Sequence, residues 1–218
     1  MNNNLTEVVF ILGRSGSMSG LEADTIGGFN SMLQQQRKGE ILFDDKAEVL
    51  HDREDIAKVE PMNENQYFVR GCTALLDAVG RAIHHIGNVH KYAREEDRPA
   101  KTLFIITTDG MENASRIYSY EKVKKMVERQ QNRYGWEFMF LGANIDAIQE
   151  ARRFGIKTGR AVNYECDKEG TAINYEVINQ TVKMARACTS ADEMELCLSA
   201  PDFLKPIREY HEKKREER

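Results

Sequence analysis

The sequence has no long apolar run. Nowhere do about 18 non-polar residues follow one another, so no membrane-spanning helix is expected. The N-terminus, MNNNLTEVV, lacks the basic segment and apolar stretch of a secretory signal, and a cytoplasmic location is the expectation. Cysteine is scarce and scattered: Cys72, Cys166, Cys188 and Cys197 form no C-x-x-C pair, which speaks against a zinc ribbon or a redox dithiol. An excess of positive charge is missing too. Thirty-one basic residues against 35 acidic ones leave a net charge of −4, so no general affinity for nucleic acid or anionic lipid is expected. His84, His85 and His90 share one helical stretch without i, i+4 spacing and suggest surface or interfacial histidines rather than a zinc pair. No internal repeat or low-complexity segment is present.

What the chain does have is a strongly patterned opening, Val8 to Gly20 (VVFILGRSGSMSG). The unbroken apolar run Val8 to Leu12 is what a strand buried on both faces of a parallel sheet needs. It stops at Gly13, Arg14 and three serines, and Leu21 begins a helical period, so the serines occupy a strand-to-helix turn. A second buried run, Leu103 to Ile106, repeats the design and ends in Thr107, Thr108, Asp109 and Gly110.

Between and beyond these runs the pattern predicts further elements. A helix over Leu21 to about Arg37 puts Ile26, Phe29, Met32 and Leu33 on one stripe, with Gly39 ending it. Glu40 to Phe43 and Ala47 to His51 are separated by too few residues for a crossover and read as an antiparallel edge hairpin. After an irregular stretch, Gly71-Cys72-Thr73 precedes a strong helix carrying Leu75, Leu76, Val79, Ile83 and Ile86, with Thr73 at or near its start. Ser119 caps the helix that follows Asp109, Trp136 to Leu141 is a third apolar strand, and Gly155 stops a short helix. Ala161 to Asn163 reads as a last strand and Thr171 as the opening of the final domain helix. This order predicts an α/β, doubly wound, mostly parallel six-stranded sheet with one antiparallel edge strand and helices on both faces. It occupies residues 1–187; residues 188–218 form a charged helical extension whose end, IREYHEKKREER, reads as a solvated or frayed helix.

Four oxygen-bearing side chains then fall on one side of the fold: Ser15, Ser17, Thr73 and Asp109. Hydroxyls and a carboxylate without nearby His or Cys are hard ligands suited to Mg²⁺, Mn²⁺ or Ca²⁺, leaving room for waters and one outside oxygen. Singly, each has an ordinary reading: serines cap helices, a Thr can be an N-cap, and Asp-Gly is a common turn. Their coincidence at strand ends favours a site.

In these residues the chain resembles the von Willebrand factor type A family, in its bacterial intracellular form. The family's metal-ion-dependent adhesion site has Asp-x-Ser-x-Ser in one loop, Thr in a second and Asp in a third. The matches are Ser15 and Ser17 in GRSGSM, Thr73 in GCTALLDAVG and Asp109 in TLFIITTDG, and the likeness spans roughly Leu5 to Arg186. The resemblance implies a non-enzymatic module that holds a divalent cation and through it an acidic side chain of a protein partner. One departure stands out: the family's Asp is here Gly13. Losing a carboxylate about 4 to 5 Å from a divalent ion costs about 1 to 3 kcal/mol after desolvation, or roughly ten- to hundredfold in affinity. A degenerate, weakened or vacant Mg²⁺ or Mn²⁺ site is therefore expected.

Three other readings remain. A hydrolase using Ser15 or Ser17 is disfavoured, because GRSGS does not fit G-x-S-x-G and no His follows a late strand. The glycines, Arg14 and a helix N-terminus suit an anion pocket, though not a Walker A loop. A metal-free interaction scaffold is the last.

Overall fold

The computed structural model describes residues 1–13, 18–36, 41–43, 45–46, 48–49, 54–55, 58–67, 73–200 and 203–218. Its strands are β1 (Asn2–Leu12), β2 (Ile41–Phe43), β3 (Asp45–Lys46), β4 (Glu48–Val49), β5 (Glu54–Asp55), β6 (Pro99–Thr108), β7 (Glu137–Gly142) and β8 (Ala161–Asn163). Its helices are α1 (Glu22–Gln36), α2 (Leu75–Tyr92), α3 (Tyr120–Tyr134), α4 (Ala147–Phe154), α5 (Lys168–Ala187), α6 (Ala191–Leu198) and α7 (Lys205–Glu216).

The body of the sheet is four parallel strands, β1, β6, β7 and β8, with β1 and β6 side by side from Thr6–Lys101 to Leu12–Thr107. On the other side of β1 the three-residue β2 adds in parallel, and the two-residue β5 pairs with it antiparallel, giving the order β5-β2-β1-β6-β7-β8. The expected six-stranded sheet with a hairpin edge is thus a four-stranded body with two short additions. Of the return strand expected at Ala47 to His51, only Glu48–Val49 lies among the described residues, and the antiparallel partner of Ile41–Phe43 is Glu54–Asp55. Within that stretch Glu48–Val49 pairs instead with Asp45–Lys46 in a separate two-residue ladder.

Side chains alternate across β1, and this alternation divides the interior in two. Val8, Phe10 and Leu12 join Phe29, Met32 and Leu33 of α1 and Ile178 and Val182 of α5 in one cluster. Val9 and Ile11 join Leu76, Val79 and Ile83 of α2, Val123 and Val127 of α3 and Phe154 of α4 in the other. Ser119 caps α3 as expected, accepting from the Lys122 N–H, and Gly155 ends α4 at φ 78°. The final domain helix starts earlier than expected: Asp167, not Thr171, is its N-cap and accepts from the Gly170 N–H.

The charged tail is not a frayed helix. Leu204, the N-cap of α7, and Ile207 and Tyr210 on it recur at three-residue spacing and are 0%, 2% and 9% exposed, and Leu204 and Ile207 join the cluster on the α1–α5 side of the sheet. The Tyr210 hydroxyl lies 3.0 Å from Asp167 Oδ2, while His211 and Arg218 both pair with Glu165. Charge dominates this segment by count, but three apolar residues on one stripe are enough to seat it.

Candidate functional site

The chain leaves β1 pinned to the end of β6. The Gly13 N–H donates to the Thr107 carbonyl at 2.7 Å, and the buried Tyr67 hydroxyl donates to the Gly13 carbonyl at 2.9 Å. Asp109, the first residue after β6, is 1% exposed beside this junction. Ser15 and Ser17 lie outside the described residues. The chain is described again at Met18, which is buried with its Sδ 3.8 Å from Cys166 Sγ in the connection from β8 to α5.

Thr73 is buried, and it is not the N-cap of α2: that position falls to Ala74, which makes no side-chain cap bond. The first amides of α2 are satisfied instead from the loop after β6. Glu112 accepts from the Leu76 N–H at 2.8 Å, and Ser115 Oγ accepts from the Asp77 N–H at 2.9 Å. The Thr73 carbonyl in turn accepts from the amides of Asn113 and Ala114, and its N–H donates to Asn113 Oδ1. Thr73 and residues 112–115, on the loop that Asp109 opens, are therefore one hydrogen-bonded unit.

Two carboxylates that the sequence reading missed hold the unit in place. Glu112 also accepts from the amides of Ala114 and Ser115. Asp77 accepts from the amides of Arg116, Ile117 and Tyr118. Burial raises the Asp77 pKa, but those three N–H donors outweigh it and leave the carboxyl below its usual value. A signal was available: an acidic residue in the first turn of α2, and Glu112 placed three residues after Asp109 in a turn.

The other wall is polar and reduced. Burial, then the charges of Cys166 and Asp109, push the Tyr164 hydroxyl well above its ordinary pKa. Cys166 is pushed up to about 11, by burial first and then by Asp109, Asp167 and Glu165, so its thiol stays protonated and unreactive near neutrality.

In kind, the described donors fit a hard divalent cation: one buried carboxylate and one buried hydroxyl. In charge they fit poorly. No group of three or more His, Cys, Asp or Glu gathers among the described residues. Gly13 is also tightly backed: a Cβ there would lie 3.0 Å from the Thr107 carbonyl oxygen and 3.1 Å from Thr108 Cα. The carboxylate of the family pattern enters here only if the β6 backbone yields by a few tenths of an ångström.

No family model and no curated protein matches this chain. Solved structures do. Manganese-loaded TRAP protein of Plasmodium vivax superposes with a TM-score of 0.50 at 15% identity, over 79% of this chain and 73% of that one. The PilB minor pilin of Streptococcus sanguinis gives 0.54 at 11% identity, over 82% and 61%. Proximal thread matrix protein 1 of the mussel byssus gives 0.51 at 12%, over 85% and 48%. The chain thus spans about half to three-fifths of the latter two. At these identities the likeness is one of fold, and the fold is von Willebrand factor A-like.

Proposed function

We propose that the chain is a non-enzymatic protein-binding module whose contact surface is the loop cluster at the carboxyl ends of β1 and β6. The observation that carries this reading is the loop after β6. Glu112 and Asp77 fasten it through their bonds to backbone amides, yet Met111 and Ile117 on it are 71% and 54% exposed. Apolar side chains held in water on a fastened loop beside a buried carboxylate make a surface for a partner. Thr73 and Asp109, with Ser15 and Ser17, would hold Mg²⁺ or Mn²⁺ weakly. The cation would supply a coordination position for an acidic side chain of the partner.

The test is Mn²⁺ added to isotopically labelled protein. Broadening confined to the amides around Thr73, Asp109 and Met111, relieved by excess Mg²⁺ and lost in Asp109→Asn, supports the cation. Broadening elsewhere, or unchanged broadening in the variant, refutes it. The tight backing of Gly13 favours a second reading, a metal-free scaffold in which Met111 and Ile117 alone make the contact. In that case Met111→Ser weakens partner binding while chelator has no effect.

A further inference from the structure

At the opposite end of the sheet, the C-terminal halves of α2 and α3 leave a cleft of about 620 Å³ over the starts of β6 and β7. From Thr102, which lines it, to Asp109 the strand runs roughly 23 Å at about 3.3 Å per residue, so the cleft is separate from the loop cluster. Its inner wall is Ile83 and Trp136, which are 1% and 3% exposed. The indole is fixed: it stacks on Phe104 at 5.4 Å and meets the His90 ring edge-on at 5.3 Å. His90 is held in turn by the buried Glu7 carboxylate at 2.6 Å.

The charge around this wall is one-sided. Lys91, Arg98 and Arg129 line the cleft together with His84 and His90, and no Asp or Glu lines it, in a protein that is acidic overall. None of the three cations has a carboxylate partner among the described residues. Arg98 Nε is shielded from solvent and lacks an acceptor there, although the same guanidinium donates to the Ala93 carbonyl. Helix carbonyl ends attract cations, and His90 and Lys91 already occupy the last turn of α2. Arg98 belongs to neither helix.

We propose that this cleft binds a small aromatic carboxylate, its ring against Met126 and Tyr134, which line the cleft with more open surface than Trp136 and Ile83, and its anion among Arg98, Lys91 and Arg129. An exposed aromatic ring and a thioether side chain over a rigid floor select a flat apolar group. Guanidinium groups without a carboxylate of their own select the anion, and Arg grips it bidentately.

Trp136 is the only tryptophan, so its indole N–H gives one resonance that reports the cleft directly. The experiment titrates the full chain with 1-naphthoate and with the neutral isostere 1-naphthamide. A saturable shift of that resonance, with the amide bound about tenfold or more weakly, is expected. Arg98→Gln combined with Arg129→Gln should raise the naphthoate Kd about tenfold while the resonances of the loop cluster stay in place. Should that variant fail to fold, the exposed Lys91→Gln with a salt titration takes its place, with a smaller rise in Kd expected. Equal affinity for acid and amide, no saturation by about 10 mM, or an unchanged Kd in the charge variants would overturn the proposal.

Discussion

The loop cluster and the tail corner are fastened by opposite chemistry. At the loops, carboxylates reach across to backbone N–H groups: Glu112 to the start of α2, Asp77 to residues 116–118. At the tail, buried cations reach across to backbone carbonyls. Lys101 Nζ donates to the carbonyls of Arg186 and Cys188 at the end of α5. Arg160 donates to the carbonyls of Leu198 and Glu195 at the end of α6 and pairs with buried Glu137 at 3.0 Å. Glu112, Lys101 and Arg160 each meet the helix end whose partial charge opposes their own, so tertiary side chains do here what local caps do elsewhere, while Asp77 fastens loop amides. The two fastenings differ in what breaks them, because carboxylates can be neutralised by acid and guanidinium and ammonium groups cannot.

Removing a tail cation should have the largest effect. Arg160→Met leaves the buried Glu137 carboxylate with Lys157 alone, at 3.6 Å, and takes the side-chain donor from the Leu198 carbonyl, and urea unfolding should show a loss of about 3–5 kcal/mol. Adding Glu137→Leu should recover much of it, which a merely local packing defect would not allow. Lys101→Met leaves two helix-end carbonyls in the interior and should cost about 2–3 kcal/mol by the same measurement. At the loop end, Gly13→Asp places a side chain against β6 and should cost about 1–3 kcal/mol in chelator. Calorimetric melts in excess Mg²⁺ that recover part of this loss would show that the new carboxylate meets a cation.

Glu112→Gln should be milder, about 1–2 kcal/mol. Its effect should be local: faster amide exchange at Leu76, Ala114 and Ser115, with the α6 amides unaffected. The smallest effect is acid itself. Asp77 has a folded-state pKa below its unfolded value of 3.8. Its contribution is therefore fully present above about pH 4 and lost as pH falls through the lower folded value. The amide shifts of Arg116, Ile117 and Tyr118 should titrate together with a midpoint under 3.8.

Much of the fold was legible because buried parallel strands write themselves as continuous apolar runs. Val8 to Leu12 and Leu103 to Ile106 do pair in parallel, and Thr73 and the segment beginning at Asp109 do meet. What was not legible depends on partners far away in sequence. Nothing near Glu7 says that its carboxylate will be buried against His90, or near Arg160 that it will close α6. The tail was misread because a net count of charges hides a stripe of three apolar residues. At the sheet edge, the described partner of Ile41–Phe43 is Glu54–Asp55, and a two-residue pairing carries almost no pattern in the sequence. Of the proposed ligands, Ser15 and Ser17 stand outside the described residues.

The two clusters on the faces of the sheet also fix an order in time. A chain made from its N-terminus has every large member of the α2–α3–α4 core once Ala161 is out. The α1–α5 core still waits for Met194, Leu198, Leu204 and Ile207. At about 5–20 residues per second, that interval lasts on the order of seconds. For that time the nascent protein has one finished face and one open apolar face, the kind of surface that holding chaperones take up.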